Sequence, residues 1–443
     1  MLSEPIAIVG MECQVPGASS VRHFWNNLKS MHRGTIKLDG ADSAGMHIAV
    51  GYLDNYNTFD YQYFHVSKKE ACYIDPQHRL FITSVANLLE NYKNQPFTTP
   101  HFGDNIGIFS SCPMNTFLSY TKDEIDCSLH TIVGLQSTLY NDKDYLALRT
   151  ANVLNLTGPA VDMQTSCCSS ATATHYACLS LINNDCDLAV AGGVSLMLPQ
   201  LRPYPFVEGS IFSSDGQCNP FTSSAKGTVH GNGCGVILLK RLKDAIRDND
   251  KIYSVIISSA INNNGDRQDG ITAPSVAGWC DVINRAIDGI DIDTIGVIET
   301  HGTGTILGDA VEFEAIKKTF SAKTQTKNFC AIGTAKSHIG HLEAACGIIN
   351  IIKASLNLCE ELITPDVYPG AETIDLSDSP FYMLQSSKNW PSIKGSVRRV
   401  SVNSSGMGGT NVHIVLEEAP KNMNATLDDC YSHPSRETFV CWP

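Results

Sequence analysis

The chain has 443 residues, 43% of them hydrophobic, with 45 acidic and 32 basic side chains for a net charge of −13. No long basic run stands against that background, which argues against nucleic-acid binding. No apolar run reaches the roughly 18 residues needed to cross a bilayer.

Charged residues make up only 17%, which fits a large core or an oligomer. The 16 cysteines include no CxxC pair and no repeated metal-ligand spacing. The N-terminal MLSEPIAIVGMECQVPG lacks the marks of a signal peptide. These features predict a reduced, cytoplasmic protein without a disulfide framework or zinc site.

In chain order, apolar runs that read as strands occur at 5–9, 105–109, 187–191, 236–239, 252–257, 295–299, 329–332 and 411–416. Many are continuous rather than alternating, as in strands buried on both faces. Helix-like stretches lie between them, including 75–92 and 340–359. The pattern is α/β. The Asn263–Asp266 stretch reads as a loop, and Arg247–Asp250 as a mid-chain break. Beyond Pro420 the chain turns polar and irregular. The apolar residues from Thr438 to Pro443 suggest an excised piece of a longer polypeptide.

Three segments carry candidate chemistry. In GPAVDMQTSCCSSATATHYACLSLI, Gly158–Ile182, an apolar approach meets a turn and then a run that can be helical. Cys167 at that junction would sit at a helix N-terminus, where the dipole favours a thiolate. By itself the Cys167–Cys168 pair reads more readily as buried small side chains. In ETHGTGTILGD, His301 follows a strand directly, and Thr303 and Thr305 offer hydroxyls to an extended polar ligand. The loop fits neither a P-loop nor a GxGxxG. In GTAKSHIGHLEAACG, Lys336 and His341 bracket a glycine turn ahead of a small-residue helix. A lone histidine there is more often structural. Two glycine-framed histidines plus the cysteine form a rarer set, able to donate two N–H bonds to one carbonyl oxygen.

Taken together, these residues resemble the elongating β-ketoacyl synthases, particularly ketosynthase domains of modular polyketide synthases. The likeness runs over residues 4–420. EPIAIVGMECQVPG resembles the family opening, and FDYQYFHVSKKEACYIDPQHRL its FD…F…S..EA…DPQ.R segment. IFSSDGQCNPF, AINNNGDRQDGITAPS and NSSGMGGTNVHIVLEEAP resemble two later loops and the closing strand pair. The resemblance implies a thiolase fold, a five-layer αβαβα sandwich of two pseudo-symmetric halves. It places one half at 1–248, the other at 249–420, and a linker or following segment at 421–443.

It also implies roles. Cys167 would accept the acyl chain. His301 and His341 would hold the extender thioester during decarboxylation, supported by Lys336 and Glu312. The N–H groups of Cys167 and Met407 would form an oxyanion hole. Thr303 and Thr305 would contact the phosphopantetheine arm, and Ser405 and Met407 would line the acyl approach. No cofactor is bound, since the phosphopantetheine arrives on an acyl carrier protein. The expected partners are that carrier, acyl and malonyl-type thioesters and a second copy of the chain. Lys68, Lys69, Arg398 and Arg399 are candidates for a basic carrier-docking patch.

The chain departs from the family at four places. Cys168 follows the nucleophile where serine is usual. Ser405 and Met407 replace two phenylalanines of SFGFGG, which predicts a roomier acyl site with a hydroxyl for a polar chain. His338 stands for asparagine, and Asn232 for an acidic residue. A thiolase would carry a second cysteine in GMGGTN, and a chalcone-synthase-like enzyme would have asparagine at His341. The remaining alternative is a non-elongating transacylase or docking scaffold, against which the two histidines argue.

Overall fold

The computed structural model describes all residues except 39–45, 95–103, 122–130, 206, 368–370, 392–395, 430–438 and 441–443. Within the expected 421–443 segment, residues 430–438 and 441–443 lie outside the described residues, while Phe439–Val440 of the apolar C-terminal run form a short strand paired with Thr58–Phe59.

Eleven strands form one sheet. We number them β1 (Ile6–Gln14), β2 (Ile106–Ser110), β3 (Ala160–Asp162), β4 (Leu188–Ser195), β5 (Gly233–Arg241), β6 (Ser254–Asn263), β7 (Ile295–Glu299), β8 (Cys330–Gly333), β9 (Phe381–Tyr382), β10 (Arg399–Ser405) and β11 (Thr410–Glu417). Their order is β9-β8-β7-β10-β11-β6-β1-β5-β4-β2-β3. The eight apolar runs of the sequence all fall on strands. β1, β2 and β5 are buried along nearly their whole length, as expected when both faces are covered by other layers.

The order contains a repeat. Outward from the central β1–β6 pair, one side runs β1, β5, β4, β2, β3 and the other β6, β11, β10, β7, β8. Both sides visit their strands in the same chain order. Both pair their outer three strands in parallel and their inner ones antiparallel. In each, a short 3-10 turn opens a 14-residue helix after the outermost of these strands: β3 leads to Ser169–Ile182, and β8 leads, by way of the short helix Lys336–Ile339, to Cys346–Cys359.

These two helices are the middle layer. Each touches strands of both halves and the other helix. One buried cluster gathers their apolar side chains, with Ala171, Ala173, Ile348 and Ile352 at its heart. Gly347 makes the approach possible, since a Cβ there would lie 2.8 Å from both Cβ and N of Ala171. A second buried cluster lies on the outer faces. There the helix Pro76–Lys93 covers β1, β5 and β4, and Val276–Ala286 covers β6 and β11. Five layers result, α-β-α-β-α.

One expected element differs. The helix read from residue 340 starts at Cys346 instead. Gly340 (φ 78°) and Glu343 (φ 42°) are left-handed, and they bend the chain before the helix begins.

Candidate active site

The nucleophile turn and its counterpart face each other. Ser166 (φ 59°) and Glu343 (φ 42°) open the two 3-10 turns, both in the left-handed region. Non-glycine residues held there cost on the order of 1–3 kcal/mol each, and such strain gathers at functional sites. Cys167 follows Ser166 on one side, and His341 precedes Glu343 on the other. Sγ of Cys167, a ring nitrogen of His341 and a carboxylate oxygen of Glu343 all lie within 4.8 Å of one another.

The two adjacent cysteines differ sharply. Cys168 is wholly buried, and its thiol donates to Thr165 O at 3.0 Å. Burial pushes that thiol up to about 12, so it stays protonated and unreactive. Cys167 retains some exposure and points to Glu343 Oε2 at 3.6 Å.

His301 and His341 meet ring to ring, perpendicular, with centroids 5.9 Å apart. Their hydrogen bonds fix how each is presented. His341 Nδ1 accepts from Glu343 N–H at 3.0 Å and contacts Cys346 Sγ at 3.5 Å. His301 Nδ1 accepts from Ser405 N–H at 3.4 Å. In both neutral rings the proton therefore sits on Nε2. Desolvation, with Lys336 and His341 nearby, holds His301 well below the usual histidine range. At His341 burial pulls down, but the ionisable Cys346 and Cys167 more than offset it and push the ring well above that range. An imidazolium could not accept the Glu343 N–H at Nδ1, so that bond opposes the shift and favours the neutral ring with its proton on Nε2.

Zinc could in principle use the Cys167, His341 and Glu343 atoms. The bonding around His341 does not fit a ligand. Nδ1 is already occupied by donors, and Nε2 in that tautomer carries the proton.

Lys336 and Glu312 act on the main chain around His301. Lys336 Nζ donates to His301 O at 2.6 Å. Glu312 accepts from His301 N–H at 2.7 Å, Gly302 N–H at 2.9 Å and Asn403 Nδ2 at 2.9 Å. Burial raises its carboxyl despite those bonds. Both residues hold the loop rather than reach into the cleft. Thr303 and Thr305 bond each other through their hydroxyls at 2.9 Å. Asp309, which sequence reasoning missed, secures that loop by accepting from Gly304 N–H and Phe221 N–H.

The glycine turn after β10 is pinned by Gly406 N–H to Thr410 O, Gly408 N–H to Ile271 O and Gly409 N–H to Gly406 O. The Met407 N–H takes part in none of these bonds. The Met407 side chain is 48% exposed. The Ser405 hydroxyl donates to Asn411 Oδ1 at 2.9 Å, which leaves its oxygen only as an acceptor for a polar chain. Its proton is not available to a substrate.

The other departures are structural. Both ring nitrogens of His338 face main-chain carbonyls, His32 O at 3.0 Å and Pro365 O at 3.2 Å. Asn232 ties together Met197 N, Gly51 O and Gln200. Two members of the expected basic patch also fall away. Arg398 is buried between Glu418 and Glu361, and Arg399 pairs with Glu417 at 2.6 Å. Their charges are neutralised within the fold. Lys68 and Lys69 remain exposed.

Comparison with known proteins meets this geometry. Residues 3–245 match the family described as "Beta-ketoacyl synthase, N-terminal domain", and 253–368 its C-terminal domain. The chain belongs to the β-ketoacyl synthase family. The ketosynthase from module 6 of the bacillaene synthase of Bacillus subtilis 168 is 35% identical with a TM-score of 0.81, over 94% of this chain and 72% of that one. Ketosynthase twelve of the Bacillus amyloliquefaciens bacillaene synthase gives 30% and 0.87, over 94% and 73%. The thiolase fold expected from the sequence is thereby established. A phenolphthiocerol/phthiocerol polyketide synthase of Mycobacterium tuberculosis is 39% identical over 94% of this chain. This ketosynthase spans only 29% of that relative's length.

Proposed function

We propose that this ketosynthase joins an acyl chain to a malonyl-type extender by decarboxylative condensation, within polyketide assembly. The observation that carries the reading is the convergence of Cys167, His301 and His341, with both histidine Nδ1 atoms accepting main-chain N–H bonds. The Cys167 thiolate attacks the acyl thioester on a carrier, and the carrier thiol leaves. The intermediate's oxyanion meets the N–H groups of Cys167 and Met407. The extender then enters past Thr303 and Thr305 on its phosphopantetheine arm. Nε2–H of His301 and of His341 donate to its thioester carbonyl. The bond to the carboxylate breaks, CO2 departs, and the electron pair is held as an enolate. The enolate carbon attacks the acyl carbonyl, and the Cys167 sulfur leaves. We assign the nucleophile to the half ending near 248 and the histidines to the half beginning near 249.

The test is intact-protein mass spectrometry with peptide mapping. Acyl thioesters and iodoacetamide are expected to modify Cys167 and spare Cys168. Modification of Cys168 instead, abolished by Cys168→Ala, would sink the assignment.

We also propose a homodimer. Among the described residues β3 ends the sheet with an unpaired edge, which single chains normally shield. Val161 on it is 38% exposed, and Met114, Ile132 and Leu135 are 75%, 80% and 53% exposed. A stable interface of this kind buries more than roughly 2000 Å2. Sedimentation at low micromolar concentration is expected to give a dimer; a species of 48.1 kDa alone counts against it.

Among the described residues no helix is long and apolar enough to cross a membrane. We also propose a cytoplasmic setting, in which the free cysteines of the described residues stay reduced.

A further inference from the structure

A cavity of about 480 Å3 opens beside the nucleophile. Ser166, Ser169, Glu343 and Ala344 form its wall next to Cys167. Glu343 therefore borders both the cavity and the sulfur. One carboxylate oxygen is 3.6 Å from Cys167 Sγ, and the other is 3.7 Å from His230 Nδ1. Burial opposes the charge. His230 and His341 beside it outweigh burial and hold the carboxyl down at about 2. Glu343 is thus an anion at any working pH. Among the described residues, the other charged side chains lining the cavity are Asp142 and Lys143. Lys143 Nζ is engaged by Asp144 at 3.4 Å, so it does not balance Glu343.

We propose that Glu343 is a charge filter, admitting neutral or cationic acyl chains to Cys167 and rejecting chains that carry a carboxylate. The inference rests on Cys167 being the acyl acceptor. Two like charges about 6 Å apart in a partly buried site repel enough to change a rate by on the order of 100-fold. One consequence bears on the order of events. The malonyl-type extender is itself a carboxylate, so the filter keeps it off the sulfur while ordinary acyl chains load.

The test uses the whole chain and two pairs of isosteric thioesters of a small thiol. One pair is glutaryl and its neutral monoamide. The other is a trimethylammonium-terminated butanoyl chain and its tert-butyl isostere. Transfer to Cys167 is read by intact mass, without any condensation step. Wild type is expected to load the monoamide roughly 10- to 100-fold faster than glutaryl, and the cation at least as fast as its isostere. Glu343→Gln is expected to bring the first ratio to within about threefold of unity. A ratio unchanged in Glu343→Gln overturns the filter. Should that variant fail to fold, wild type decides alone: glutaryl loading as fast as its monoamide also overturns it. If even the neutral chains fail to reach Cys167, the acyl-acceptor reading fails instead, and the two failures are told apart.

Discussion

His341→Ala is expected to slow CO2 release from a malonyl-type carrier thioester by about 100- to 1000-fold, the usual cost of losing one preorganised donor to a developing oxyanion. The argument comes from the hydrogen bonds behind the ring. Glu343 N–H occupies Nδ1, so the neutral ring presents Nε2–H toward the cleft. His301 is presented the same way by Ser405 N–H. Neither can turn over without leaving a buried N–H unpaired, so neither donor must reorganise as charge develops. The acyl-transfer step should suffer far less, since its oxyanion is expected to meet main-chain N–H groups. Loading of Cys167, read by mass, should therefore fall by less than about tenfold while decarboxylation collapses. His301→Ala should show the same split. The double variant should be little worse than either single one, because both donors serve one oxygen. Decarboxylation by His341→Ala at the wild-type rate would remove the assigned role.

Much of this site was legible because its residues lie beside strand ends. β7 ends at Glu299 as its apolar run does, and that placed His301 correctly. β10 was harder. Its sequence RVSVNSS has few apolar residues, although five of its seven positions are buried. Ser401, Asn403 and Ser404 stand on it, and a polar strand inside a core has no periodic signature. Its presence came only with the family resemblance. The pseudo-twofold relation was not legible, because strand order alone reveals it.

Glu343 shows a different limit. It stands in the quoted GTAKSHIGHLEAACG, two residues after His341, and reads there as an ordinary glutamate. What gives it chemistry is His230, from a distant part of the chain, and the left-handed turn that aims it at Cys167. The Ser405 hydroxyl is narrowed for the same kind of reason: Asn411, six residues on, takes its proton and leaves only its acceptor side. The paired arginines were legible as charges, but their carboxylate partners across β10 and β11 were not. Residue types can announce a chemistry, while hydrogen-bond partners decide whether an atom is free to perform it.

Lys353→Met is expected to destabilise the fold by about 3–5 kcal/mol, the cost of stranding buried charge by removing one partner. The helix Cys346–Cys359 is buried on every side, and Lys353 is its only charged residue. Nζ lies 2.7 Å from Asp366 Oδ1 and 3.1 Å from Glu299 Oε2, with each of these side chains only 1% exposed. The triad also joins two strand ends of the active site. Glu299 closes β7 two residues before His301, and Asp366 accepts the N–H of Thr334, two residues before Lys336. Burial already pushes Glu299 up to about 7, with Lys353 the main opposing influence. Without the ammonium it moves further up. A carboxyl whose folded value exceeds its unfolded value of about 4.3 binds more protons when folded, so its stability contribution is lost as pH rises. The variant's deficit should therefore be larger at pH 8 than at pH 6, which urea unfolding at the two values measures. Adding Glu299→Gln and Asp366→Asn should recover most of the loss, since no unpaired charge then remains. A Lys353→Met protein within about 1 kcal/mol of wild type at pH 8 would mean that the three charges are not coupled as their distances indicate.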